Sequence, residues 1–218
     1  MIKVFIVYYP GAIDKKWADK FLNQQENAQC KLFRSEKREK QFVLGRIIAT
    51  YALCSLMSVS KKQICFCRDV FGKPYLKGYD DISFNISHSG DYIACAISDS
   101  AVGIDIELLR DVYDHGVLEF LADEEQRYLK AIPEQNKCKE FFDIWTKKES
   151  YIKMIGKGLS ISMRSFSVLS QEDCMYHRIL GEAIIIGNVC SKEETQSPEV
   201  KYICATELDD YLVNKLWE

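Results

Sequence analysis

Asp105, Glu107, Glu149, Lys148 and Lys153 are charged residues in patterns where charge needs a partner. In Ala-Val-Gly-Ile-Asp-Ile-Glu (101–107), Val102, Ile104 and Ile106 alternate with Gly103, Asp105 and Glu107, so a strand here points both acids to one face. Neighbouring carboxylates on a half-buried strand repel each other unless a positive charge sits between them. A hard divalent cation held through carboxylate oxygens answers that need. From Glu140 to Ile155 the residues Phe141, Phe142, Ile144, Trp145, Ile152 and Ile155 fall on one arc at helical spacing. The same winding sets Lys148 in the middle of that arc and Glu149 on its flank, with Lys153 one turn beyond Glu149. Charges on a core-facing stripe are costly unless paired or metal-bound.

Each piece also has a plainer reading. Asp-x-Glu on a strand is common, Glu149 and Lys153 suit an i,i+4 helix pair worth about 0.2–0.5 kcal/mol, and Lys148 can snorkel to water. Two further pieces lie upstream. Ser87-His88-Ser89-Gly90 falls between strand-like runs at 82–86 and 92–98, which puts the histidine in a turn. There it can hydrogen-bond a phosphate that hydroxyls and backbone N–H groups cradle. In Phe71-Gly72-Lys73-Pro74, Gly and Pro bracket the lysine and aim its cation. A plain hairpin loop and a surface turn would look the same.

Gly-Lys-Pro (72–74), Phe-Asn-Ile-Ser-His-Ser-Gly (84–90), Val-Gly-Ile-Asp-Ile-Glu (102–107) and Trp-Thr-Lys-Lys-Glu-Ser-Tyr-Ile-Lys (145–153), followed by Gly-Lys-Gly-Leu (156–159), together resemble the ordered motif set of the Sfp-type 4′-phosphopantetheinyl transferases. The resemblance covers residues 71–168 well and the two ends loosely. It implies a Mg²⁺-dependent transfer, with Mn²⁺ as the alternative ion. The phosphopantetheine arm of coenzyme A moves to a serine of an apo acyl or peptidyl carrier protein, releasing adenosine 3′,5′-bisphosphate. Attack on a pyrophosphate needs its developing charge neutralised, which a metal and lysines do with little covalent work by the protein.

Carried over position by position, the resemblance implies Asp105, Glu107 and Glu149 as metal ligands. Glu149, directly or through a metal-bound water, would take the serine proton, and Lys153 would stabilise the leaving oxygen. Lys73 with Pro74, Ser87, His88 and Lys148 would line coenzyme A, His88 meeting the 3′-phosphate. Glu125 aligns with an auxiliary base of some members, or is a charge at a helix start. The likeness frays where members place an arginine ahead of a glycine to meet the nucleotide. Here Gln41 and Phe42 precede Gly45, and Arg46 and Lys40 are the expected substitutes among Lys37, Arg38, Lys40 and Arg46. That basic cluster also fits a solvated helix face. Val117, Phe120, Leu121 and Leu129 are the expected carrier-docking residues, or else core.

These pieces need a container. The 218 residues are 47% hydrophobic, enough for a core, and no run approaches the roughly 20 apolar residues of a membrane span. The start reads as a strand ending at Pro10 rather than a signal peptide, which favours a cytoplasmic protein without membrane partners. The net charge of −3 does not advertise nucleic acid. Nine cysteines with no Cys-x-x-Cys read as small core hydrophobes, Cys95 and Cys204 among them.

The pattern, a strand–helices–strands order used twice, suggests an α+β protein of two similar halves, and the resemblance implies that each is a small, mostly antiparallel sheet packed on helices. Residues 1–100 form the nucleotide side and 101–218 the metal and carrier side, with the site in the cleft between them. Predicted helices lie near 14–25, 37–57, 113–131 and 137–155. Predicted strands lie near 2–8, 64–67, 83–87, 92–98, 101–107, 166–170, 175–180, 182–189 and 200–206, with a polar loop at 190–199. A monomer is expected. Two other functions remain open, a different metal-dependent phosphoester enzyme and a non-catalytic module that binds coenzyme A or a carrier.

Overall fold

Strand β1 (Ile2–Tyr8) runs through the middle of the first sheet of this computed structural model, which describes residues 1–14, 16–110, 115–181, 184–192 and 197–214. The chain continues through α1 (Lys16–Phe21), α2 (Gln24–Cys30) and α3 (Glu36–Met57), then a small hairpin of β2 (Phe66–Arg68) and β3 (Pro74–Leu76). β4 (Ser83–Ser89), β5 (Tyr92–Ser98) and β6 (Val102–Leu108) follow, then α4 (His115–Leu118), α5 (Asp123–Ala131) and α6 (Glu134–Ile155). β7 (Met175–Gly181), β8 (Ile185–Ser191), β9 (Glu199–Ile203) and α7 (Ala205–Asn214) complete the order. The first sheet has the order β4-β5-β1-β9 and the second β6-β8-β7, antiparallel throughout except for the parallel β1–β9 pair.

Each half sets a 22-residue helix against its sheet, α3 on the first and α6 on the second. Period-2 alternation gives β1 two apolar faces. Phe5 and Val7 join Val43, Leu44, Ile47 and Ile48 of α3 in one core. Ile2, Val4 and Ile6 meet Val102, Ile104 and Ile106 of β6 in a second core between the sheets. The other face of β6, carrying Gly103, Asp105 and Glu107, is therefore left to α6. Gly103 is what lets the helix come so close, because a Cβ there would stand 1.9 Å from the Ser150 carbonyl oxygen and 2.4 Å from the Met154 nitrogen. α6 ends at Gly156, whose φ of 79° is the left-handed cap that glycine supplies without strain.

Several expectations need correction. The helix expected near 14–25 is broken at Asn23, whose side chain caps α2, and the one near 113–131 is broken between α4 and α5, its start lying outside the described residues. No strand forms at 166–170, because main-chain groups of Phe166 and Val168 are committed to side chains below them. Residues 205–214 form α7, whose Leu208 and Leu212 enter the first core. With β9 in the first sheet and α7 on its core, residues 199–214 pack with the first half rather than with the second, where 101–218 was expected to lie. Cys204 is exposed, while Cys30, Cys95, Cys174 and Cys190 are buried. Of the loop at 190–199, Cys190 and Ser191 continue β8, Glu199 opens β9, and 193–196 lie outside the described residues. No described helix is long and apolar enough to cross a membrane.

Candidate active site

The acidic face of β6, the last turns of α6 and the edge strand β4 converge on one cleft. Lys153 Nζ donates to Asp105 Oδ1 at 2.6 Å, to the Ile104 carbonyl at 3.2 Å and to Ser87 Oγ at 3.2 Å. Ser87 Oγ donates in turn to Asp105 Oδ1 at 2.8 Å, and Ser89 Oγ to Glu107 Oε2 at 2.6 Å. Glu149, one turn before Lys153, lines the adjoining cavity of about 660 Å³ with Lys73, Pro74, Phe120, Trp145 and Met163. Burial raises the Glu149 carboxyl above its usual range, and the Asp105 charge raises it further, against the pull of Lys153. Burial likewise raises Glu107, with Asp105 adding to the effect while Ser89 and the nearby cations oppose it. The three acids therefore feel one another.

Among the described residues no group of three His, Cys, Asp or Glu side chains stands arranged to hold a metal ion. Lys153 is the cation that Asp105 meets. The donor set still suits a hard divalent ion. Among the described residues Asp105 Oδ2 is buried with no hydrogen-bond partner, and a cation would offset the burial, and the Asp105 charge added to it, that raise Glu107 and Glu149.

The remaining expected residues divide. His88 lies within β4 rather than in a turn and is exposed, on the strand face opposite Ser87 and Ser89. Its imidazole titrates below the ordinary value, first because neighbouring atoms exclude water from much of it and then because of Lys153. Lys73 caps α6, donating to the Met154 carbonyl at 2.9 Å, and burial lowers its pKa. Lys40 pairs with Asp91 at 2.8 Å beside a second cavity of about 610 Å³, which Lys37 also lines.

Two expected ligand contacts are overturned. The Arg46 guanidinium is buried, paired with Glu26 at 2.5 Å and stacked over Phe66, so it ties α3 to α2 instead of facing a nucleotide. Lys148 is 0% exposed and paired with Glu125, itself 0% exposed, at 2.8 Å. Its place on the core arc was right, but its partner is a carboxylate of α5 and not coenzyme A. Glu125 accepts from Lys148, from Val168 N and from Ala122 N, so both its oxygens are committed and it cannot act as a base in the cleft. Of the expected docking residues, Phe120 is exposed at the cavity rim and Val117 is half-buried, while Leu121 and Leu129 are core.

A family model described as the 4′-phosphopantetheinyl transferase superfamily matches residues 101–206, and one for the N-terminal part of such a transferase matches 10–100. The 4′-phosphopantetheinyl transferase gsp of Aneurinibacillus migulanus is 31% identical over 169 residues, covering 76% of this chain and 70% of its own length. The chain belongs to the 4′-phosphopantetheinyl transferase superfamily. The 4′-phosphopantetheinyl transferase Sfp of Bacillus subtilis is 28% identical to this transferase over 175 residues, 79% of this chain and 78% of that protein. Sequence reasoning gave no separate role to Asn85, which lines the cavity, or to Ser89, which donates to Glu107. Their signal was present in the alternation of small polar residues along Ser-Phe-Asn-Ile-Ser-His-Ser (83–89).

Proposed function

We propose that the cleft between β4, β6 and α6 transfers the 4′-phosphopantetheine arm of coenzyme A to a serine hydroxyl of an apo acyl or peptidyl carrier protein, with Mg²⁺ bound, releasing adenosine 3′,5′-bisphosphate. The observation that carries this reading is the meeting of Asp105, Glu107, Glu149 and Lys153 at the rim of a partly apolar cavity. Asp105, Glu107 and Glu149 would hold the ion, which when bound neutralises a diphosphate and sharpens its phosphorus as an electrophile. The Lys153 ammonium stabilises the oxygen that leaves. Glu149 would draw the serine proton directly or through a water, and because a bound cation weakens a carboxylate as a base, the water route is the one the site favours. Lys73 lines the cavity and His88 is close enough to feel Lys153 and Asp105, and these two donors would meet phosphates of coenzyme A. The apolar wall of Phe71, Phe120, Trp145 and Met163 suits the uncharged pantetheine arm and excludes water from the attack.

The test is to incubate the protein with coenzyme A, Mg²⁺ and an apo carrier protein and to weigh the carrier. One added phosphopantetheine is the expected result. Degraded coenzyme A with an unmodified carrier would mean a phosphoester hydrolase instead, and no change in either would mean a binding module.

A further inference from the structure

β4 and β6 are the facing edge strands of the two sheets, and no backbone ladder joins them. Side chains do. The N–H groups of Val102, Ile104, Ile106 and Leu108 donate to Ser83 Oγ, Asn85 Oδ1, Ser87 Oγ and Ser89 Oγ at 3.3, 3.0, 3.2 and 3.0 Å. Every second residue of β4 thus satisfies every second N–H of β6, in constant register. This explains small polar residues on a buried strand face, where Asn85, Ser87 and Ser89 are each under a tenth exposed.

The two serines at the carboxylate end do more than close the seam. A hydroxyl has a single proton. Because Ser89 Oγ accepts from Leu108 N, that proton is free only for Glu107 Oε2, 2.6 Å away. Ser87 Oγ, accepting from Ile106 N, is likewise left to donate to Asp105 Oδ1 at 2.8 Å. Asp105 has a second anchor in Lys153. Among the described residues, Glu107 has besides Ser89 only the exposed Arg110 at 3.5 Å, so Ser89 is its principal tether there.

We propose that Ser89, with Ser87 beside it, is a positioning residue that uses its seam-locked hydroxyl to hold the Glu107 carboxylate in the orientation a divalent cation needs. The inference rests on the metal reading of the site given above. Ser89 touches neither substrate nor ion and acts through Glu107, as hydrogen-bonded neighbours of ligating carboxylates do.

The experiment compares wild type, Ser89→Ala, Ser89→Thr and Ser83→Ala, the last removing a seam hydrogen bond that serves no carboxylate. Mn²⁺ binding is followed by the loss of its free-ion electron paramagnetic resonance signal, alongside thermal midpoints and transfer rates as a function of metal concentration. Ser89→Ala is expected to weaken Mn²⁺ binding by about 10-fold or more, with a maximal rate at saturating metal near wild type. Ser89→Thr, which keeps the hydroxyl, is expected to recover most of that affinity. Ser83→Ala should lose thermal stability but keep the wild-type Mn²⁺ curve. A metal-dependent wild type with Ser89→Ala on the same binding curve overturns this proposal alone. A wild type that transfers without metal and binds none overturns the metal reading and this proposal together.

Discussion

Replacing Lys148 by Met tests the least conventional feature of the site's support. Lys148 and Glu125 are both 0% exposed and 2.8 Å apart, so their direct attraction is on the order of 5 kcal/mol at the effective dielectric suited to such pairs. Dehydration of the two charges offsets most of that, and the measurable quantity is the cost of leaving one behind. Lys148→Met strands a buried carboxylate that keeps two main-chain donors, Ala122 N and Val168 N. The expected loss is about 3–4 kcal/mol, near the lower end for broken buried pairs. Adding Glu125→Gln removes the stranded charge while its amide oxygen still accepts from Val168 N. The remaining defects are the Ala122 N–H and the Phe166 carbonyl, the latter already lost in Lys148→Met, each worth about 1–3 kcal/mol. The double variant should therefore be more stable than Lys148→Met alone. Urea unfolding at neutral pH, with unchanged dependence on denaturant, measures all three. A single-variant loss under about 1 kcal/mol, or a double variant less stable than the single, would refute the assignment of a dry ion pair.

Three further expectations follow from the same geometry. Glu149→Gln should abolish transfer to an apo carrier while coenzyme A still binds in an equilibrium titration, and wild-type turnover would remove Glu149 from the chemistry. Arg46→Met should cost about 3–5 kcal/mol of stability by stranding Glu26, yet leave the KM for coenzyme A of the folded protein unchanged. A raised KM would put Arg46 back at the nucleotide. Burial depresses the His177 pKa, so below about pH 6.5 the unfolded chain binds a proton that the folded chain resists. Its contribution is thus lost as pH falls from that value, and unfolding midpoints in urea should fall less steeply over this range for His177→Asn than for wild type. Equal slopes would contradict it.

The acidic face of the candidate site was legible in the sequence because it is written in short periods. Alternation fixed the facing of Asp105 and Glu107, and helical spacing put Glu149 and Lys153 on one side of α6. What failed depended on partners distant in the chain. Lys148 on an apolar arc demanded an anion, but nothing local distinguishes a phosphate from Glu125, 23 residues away. Arg46 met the same fate through Glu26, 20 residues upstream. Ser87-His88-Ser89 looked like a turn because polar residues dominate it, yet that polarity serves a strand whose buried face meets the N–H groups of β6. The segment 166–170 has the alternation of a strand, but its peptide groups are spent on Lys148 and Glu125. α7 went unread because the strand reading was carried on to 206.

The parallel pairing of β9 with β1 also governs how the polypeptide matures. β1 is made first, but its neighbour at 199–203 emerges only after the whole second half has been synthesised. Until then one flank of a strongly apolar strand stays open to other partners. Closing so distant a contact is slow compared with forming local hairpins such as β4–β5. A ribosome-bound chain halted before residue 199 should accordingly remain a substrate for chaperones, and its first sheet should become protease-resistant only when β9 is released.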